Sequence, residues 1–449
     1  MRLPVLAGLL LAAALPSLTG CAGPADGEGD APDEASEAVG ALPDAARYPA
    51  GQTQSPVSAA MVARWRAIAQ KDPGRAADVF AKVGDSQTVN EGFMRCFAKS
   101  GVNLAGHDAP LGSPAATMKD TIDFFLGDDR GRTSFDRTSL SAKVGASASF
   151  ALGGPLVAEV DATRARYAVV MYGSNDIQNA PTGGIFTYAK EMLAITDALT
   201  KKGVIPILTS PPPRPFRSGD VAAFGPEGAD PWVPRYAAVV RGIAEARQVP
   251  FVDLERELRK LPDWGIGGDK LHLYAARSGA CDFSAEGLKA GVNVRNLVTL
   301  EALHRTRVAM ESGALDARPP VVQGEGTTAK PLRVEGLPFT DFRTTKSGAA
   351  SSVGGYDCPS TGGRVARTGA GREIVYRLSL SERTTVRATV FAQGAADADV
   401  YVLRASDKVC EGRSDKTAVV DLPAGDHLVV VDAETDAKGG EYLLTITRD

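Results

Sequence analysis

The chain is poor in the residues that build most metal centres. Its 449 residues include four histidines and five cysteines, and no cluster of them has the spacing of a zinc site. An excess of positive charge is also missing. The formal net charge is −4, with both signs mixed along the chain, which argues against a surface built to neutralise nucleic-acid phosphates. No internal repeat of the length used by solenoids or propellers is visible. The longest apolar run, Leu3 through Leu18, is too short and too broken by Pro16 to span a bilayer comfortably. What is present, 44% hydrophobic and 23% charged residues, is the composition of folded, water-soluble protein, and the length favours two domains over one.

The apolar run has the shape of a secretory signal. It closes on Leu18-Thr19-Gly20-Cys21, which resembles a bacterial lipobox, whose cysteine becomes the acylated first residue of the mature protein. The ordinary alternative is a cleaved signal with an incidental cysteine. From Ala22 to Asp44 there are seven acidic residues and no basic one, a composition that cannot bury enough apolar area to fold. The expected organisation therefore starts with a signal peptide at 1–20 and an acidic tether at 21–55, held to a membrane by a lipid on Cys21. The expected location is the bacterial cell envelope, facing the periplasm or the exterior, where disulfides persist. Setting Cys21 aside leaves Cys96, Cys281, Cys358 and Cys410. Four cysteines allow three connectivities, and one bridge per domain gives Cys96–Cys281 and Cys358–Cys410.

Between Met61 and Leu303, short apolar runs at 79–83, 167–171, 204–208 and 250–253 alternate with helical periodicity at 61–71, 185–202 and 233–248. Near-continuous apolar strands separated by crossover helices predict a parallel sheet covered on both faces. Ligands of such sheets bind beyond the carboxyl ends of the strands. A Gly-, Pro- and Thr-rich stretch at 312–332 breaks the pattern and reads as a linker. Beyond it, alternating runs at 386–391, 398–403, 417–422, 427–432 and 442–447 predict a small all-β sandwich at 333–449.

Three places in the first part can carry chemistry. The first strand runs into Gly84-Asp85-Ser86-Gln87-Thr88, so Ser86 falls in a tight strand-to-helix turn whose backbone N–H groups are open to a developing oxyanion. The central strand ends at Gly173-Ser174-Asn175-Asp176, which brings an amide donor to the same edge. Each is also ordinary turn and capping chemistry. The third, Asp269-Lys270-Leu271-His272, places a carboxylate three residues before one of the four histidines. From there it can reach Nδ1 and leave Nε2 free as a base. His107 and His304 have no carboxylate so placed and read as ordinary polar residues. The Ser210–Pro215 loop, with Arg214, follows the next strand; it either walls the pocket or is punctuation.

Serine, amide and Asp-His pair, in that order and context, resemble the signature blocks of the SGNH, or GDSL-type, serine hydrolases over about residues 60–305. The resemblance implies a three-layer α/β/α, flavodoxin-like parallel sheet at 56–311. It implies Ser86 as nucleophile, Asp269 and His272 completing the triad, and an oxyanion hole formed by Ser86, Asn175 and a glycine. Gly145 is the candidate for that glycine, with Gly131 and Gly153 as competitors. The chain departs from the family pattern at Gln87, where leucine is usual. The implied reaction is hydrolysis of an ester, either a glycan acetyl ester or a lipid acyl ester, through an acyl-enzyme. It requires no metal or organic cofactor.

The segments 398–403 and 440–447 resemble the bacterial pre-peptidase C-terminal domain, which implies an accessory sandwich. Asp399 is its candidate cation ligand, or else a solvated carboxylate. The competing functional expectation is a non-catalytic cell-surface lipoprotein binding glycan or lipid on the same fold.

Overall fold

The computed structural model describes residues 45–449 apart from 128–132, 216, 219–220, 223–229, 318, 351–355, 361–362 and 368–370. Cys21, the expected signal peptide at 1–20, most of the expected tether at 21–55 and Gly131 lie outside the described residues. In chain order the first part contains α1 (Ala59–Gln70), β1 (Ala76–Gly84), α2 (Ser86–Val89), α3 (Met118–Phe125), α4 (Ser149–Leu152), α5 (Pro155–Thr163), β2 (Ala165–Met171), α6 (Ser174–Asn179), α7 (Pro181–Lys201) and β3 (Ile205–Thr209). It continues with β4 (Arg217–Ser218), β5 (Val221–Ala222), α8 (Trp232–Arg247), β6 (Phe251–Val252), α9 (Leu254–Leu258) and α10 (Gly291–Ser312).

β2 and β3 are buried along their whole length, as the unbroken apolar runs predict for strands covered on both faces. The parallel sheet has the order β1-β2-β3-β6. α1, α3 and α10 cover one face, and α5, α7 and α8 the other, which is the expected three-layer arrangement. One further pairing decides where the site lies. Ala142 bridges in parallel to Gly84 on the outer edge of β1. The chain thus leaves β1 for one edge, reaches Ala142, and crosses back to form β2. That reversal is a topological switch point, where the carboxyl ends of neighbouring strands leave a crevice. Gly84 and Met171, the last residues of β1 and β2, are register partners there.

The second part comprises β7 (Leu332–Val334), β8 (Phe339–Thr344), β9 (Ala349–Ala350), β10 (Tyr356–Ser360), β11 (Gly363–Arg367), β12 (Arg372–Leu380), β13 (Thr384–Ala392), β14 (Ala398–Arg404), β15 (Cys410–Ser414), β16 (Thr417–Leu422), β17 (Gly425–Ala433) and β18 (Glu441–Arg448). Sheets β15-β14-β17-β12-β7 and β16-β13-β18-β8 face each other. Between them lies an apolar core that includes Tyr376, Val400, Val429 and Leu444. Cys96–Cys281 and Cys358–Cys410 are both bonded.

The sandwich sits directly on the α/β part. α8 packs against β3 and β6 on one side and against β8 and β18 on the other, and 14 of its residues are buried. At Gly242 the approach is so close that a Cβ would collide with Leu443 Cδ1. Phe342, Phe391 and Leu443 of the sandwich belong to the same apolar cluster as the sheet. The charges of α8 are paired at this junction: Glu245 with Arg47 of the N-terminal segment, which also binds Asp341 of the sandwich, and Arg235 with Asp449 at 2.5 Å.

Inside the sandwich, Asp432 lies directly opposite Glu373 on β12 and Asp399 on β14. Burial and the two neighbouring carboxylates push its carboxyl up to about 8. A carboxyl raised in the fold stabilises fully below its unfolded value near 4, and that contribution drains away as pH rises to 8. Asp432→Asn removes this titration. We expect its melting temperature to match the parent near pH 4 and to exceed it by a growing margin up to pH 8, then by a constant one. Parallel unfolding scans check this, and an equal difference at every pH would refute it.

Candidate active site

α2 is a single turn beginning at Ser86. Its N-cap is Asp85, whose side chain accepts from the N–H of Gln87 at 3.0 Å. The helix ends at Val89, and Cys96 lies in a separate 3₁₀ turn at Arg95–Ala98. Asp85 is fully buried. Burial pushes its carboxyl up to about 6, against the opposing pull of the Gln87 N–H and Arg295. Arg295, reaching in from α10, is buried too, and burial draws it down to about 9. It donates to the Gln87 carbonyl and, at 3.0 Å, to Thr88 Oγ1, while its guanidinium lies 3.6 Å from the centre of the Phe93 ring. The turn that carries Ser86 is therefore held from beneath by α10.

His272 comes from the loop between α9 and α10. Lys270 adopts a left-handed conformation, φ 57°, which folds Asp269 back over the residues that follow. Asp269 Oδ1 accepts from the N–H groups of Leu271 and His272 at 3.0 and 2.9 Å, and Oδ2 meets His272 Nδ1 at 2.6 Å. Partial burial raises the Asp269 carboxyl, but the His272 N–H, its imidazole and the Leu271 N–H outweigh this and hold it below the usual range. On the other side of the ring, Nε2 is 3.0 Å from Ser86 Oγ. Ser86, His272 and Asp269 thus form one hydrogen-bonded chain, with the order of contacts required of nucleophile, base and orienting carboxylate.

The amide and the glycine meet at the same edge. Asn175 Nδ2 donates to the Ala146 carbonyl at 3.0 Å, and Asp176 Oδ1 accepts from the Ala148 N–H at 3.1 Å. The Gly145 loop is therefore knitted to the turn after β2, three residues beyond the Ala142–Gly84 bridge. Gly145 takes φ 76°, which glycine adopts at little cost. Gly153 lies farther along, at the end of α4. An amide carries two N–H groups, so Asn175 can anchor the loop with one and meet an oxyanion with the other.

Residues 125–276 match the model of the GDSL-like lipase/acylhydrolase family. Over that span, about a third of its length, the chain is similar to GDSL-type acylhydrolases. The matched span holds Asn175, Asp269 and His272 and begins downstream of Ser86, which geometry joins to them. No curated protein matches by sequence. Among solved structures, a two-domain esterase active on acetylated mannans is 13% identical, over 86% of this chain and 94% of that one, with a TM-score of 0.32. An acetylxylan esterase variant from Geobacillus stearothermophilus is 14% identical over 51% and 94%, TM-score 0.30. The pre-peptidase C-terminal domain of a Bacillus anthracis collagenase is 14% identical over 26% and 92%, TM-score 0.18.

Other side chains singled out from the sequence find structural partners. Arg214 Nη1 donates to the Ser174 carbonyl at 3.0 Å and Nε pairs with Asp230 at 3.1 Å. The loop after β3 therefore braces the Asn175 turn, between the two readings its sequence allowed. His304 is buried against Thr121, 2.8 Å from Nδ1, and burial lowers it to about 4. Asp399 pairs with Arg413 at 2.6 Å. Among the described residues no group of three or more His, Cys, Asp or Glu side chains is arranged to hold a metal ion. Asp85, Arg295 and the contacts of Gln87 were not singled out from sequence; the buried Asp85 could have been suspected from its place before the serine, but Arg295 lies 208 residues from its carbonyl partner.

Proposed function

We propose that the protein is a serine esterase of the bacterial cell envelope, anchored by a lipid on Cys21, that cleaves esters through an acyl-enzyme on Ser86. The observation that carries this reading is the unbroken chain from Ser86 Oγ to His272 Nε2 at 3.0 Å and from Nδ1 to Asp269 at 2.6 Å. A surface protein that only binds has no use for it. The lipobox-like Cys21 and two disulfides support the location.

Ser86 Oγ attacks the ester carbonyl carbon while its proton passes to Nε2 of neutral His272. Asp269 fixes the tautomer and steadies the imidazolium. The carbonyl oxygen, now negative, is received by the N–H groups of Ser86 and Gly145 and by the Asn175 amide. Collapse breaks the bond to the alcohol, which leaves with the proton from His272. Water, deprotonated by the same nitrogen, then releases the acid and restores Ser86. The His272 and Asp269 side chains are 37% and 53% exposed, so the triad opens to solvent and suits an acyl group carried on a bulky alcohol such as an acetylated glycan.

The test is turnover of p-nitrophenyl esters from acetyl to palmitoyl by the protein from residue 46 onward. Activity greatest on acetyl supports the glycan ester, greatest on long chains the lipid ester, and none at all refutes the reading. On the best ester, Asn175→Ala should lower kcat by about 10²–10³-fold with KM little changed, as for loss of one oxyanion donor. A change confined to KM would remove Asn175 from the oxyanion hole.

A further inference from the structure

Gln87 occupies the position at which the chain departs from the family pattern, and its side chain is 1% exposed. Its amide is used at both ends. Nε2 donates to the Leu271 carbonyl at 3.0 Å, and Oε1 accepts from the Leu273 N–H at 3.3 Å. These are the two peptide groups on either side of His272. Leucine can make neither bond. We propose that Gln87 is a positioning residue that brackets His272 and sets the approach of its imidazole to Ser86.

The need for such a bracket follows from the loop itself. The imidazole and Asp269 are both substantially exposed, so packing alone does not fix them. The hydrogen bonds Asp269 makes to Leu271 and His272 are internal to the loop and move with it. A tie between loop and nucleophile must come from outside, and Gln87 is covalently next to Ser86. Its own backbone is immobilised by Asp85 at the N–H and Arg295 at the carbonyl, so the amide is presented from a fixed base. Asn90 reaches the Leu273 carbonyl only at 3.5 Å, and the Gly267 N–H holds the His272 carbonyl from within the same loop at 2.7 Å.

This inference rests on His272 being the general base, and the experiment separates the two claims. Steady-state kcat and KM on p-nitrophenyl acetate are measured for the parent, Gln87→Met, Gln87→Glu, His272→Ala and the Gln87→Met/His272→Ala double variant, each checked for a parent-like unfolding transition. Misplacing a base by a fraction of an ångström to an ångström should lower kcat of Gln87→Met by about 10–100-fold, with KM within about two-fold. The double variant should be no slower than His272→Ala alone, because a bracket has no effect once the imidazole is gone. Gln87→Glu is equally long and polar but sets a carboxylate against the Leu271 carbonyl; it should lose kcat likewise, and it carries the test where Gln87→Met does not fold. Parent-like kcat in the folded Gln87 variants, or losses that simply multiply in the double variant, would overturn the proposal. Full turnover by His272→Ala would overturn the base assignment and this proposal with it.

Discussion

Replacing Ser86 by alanine should lower kcat/KM on the best ester by about 10⁴–10⁶-fold, leaving the fold and its unfolding temperature intact. The size follows from what the hydroxyl does. Without Oγ no acyl-enzyme forms, and the oxyanion donors alone retain a small residual rate over water. Asp269→Asn should cost about 10⁴-fold for a different reason. Asp269 Oδ2, 2.6 Å from Nδ1, accepts a hydrogen bond from Nδ1–H and so leaves Nε2 bare toward Ser86; an amide N–H in that place favours the opposite tautomer. Turnover assays with matched unfolding curves check both. If Ser86→Ala retains more than about a hundredth of parental kcat/KM, the nucleophile lies elsewhere.

Ending the chain before β7 should leave a protein that does not fold in soluble form. Phe342, Phe391 and Leu443 share the core cluster of the α/β part. Each fully buried apolar side chain contributes roughly 1.5–3 kcal/mol, so the three amount to about 5–9 kcal/mol, against a total stability of about 5–15 kcal/mol for a typical domain. The loss does not stop there. Arg235 and Glu245 on α8 are buried with partners, Asp449 for one and Arg47 for the other, and truncation strips Asp449 away while opening the second pair to water. Expression of residues 46–331 and a thermal scan decide it. A soluble product melting within a few degrees of the parent would show that the sandwich is dispensable to the hydrolase fold.

α8 also shows where sequence reading stops. Its position at 232–247 is within a residue of the periodic stretch, yet its arginines and glutamate suggest a solvated outer face, whereas that face meets the sandwich. Charge pattern cannot tell water from a second layer of matching charges. The strands of the parallel sheet were legible because burial on both faces leaves apolar runs with little interruption. β8 was not, because its Phe339–Thr344 run carries Asp341 and Arg343, which neutralise each other at 2.5 Å. At the site, Ser86, Asp269 and His272 could be read from local order, since each lies in a turn next to a recognisable strand or helix. Gln87 could not. Its partners lie 184 and 186 residues away, and local sequence gives no sign of which distant loop a buried amide will bracket. Gly145 gained its case from the Ala142–Gly84 bridge, a single pairing too short to leave a strand pattern.

The most direct test of the central claim is to trap the acyl-enzyme. The protein is mixed with p-nitrophenyl acetate in excess, quenched in acid within the first turnovers, digested, and the modified peptide sequenced by mass spectrometry. Acetyl on Ser86, absent when His272 is replaced by alanine, is the result predicted. Turnover with the acetyl group on another residue, or with no covalent intermediate on Ser86 under conditions that trap a control serine esterase, would contradict the account.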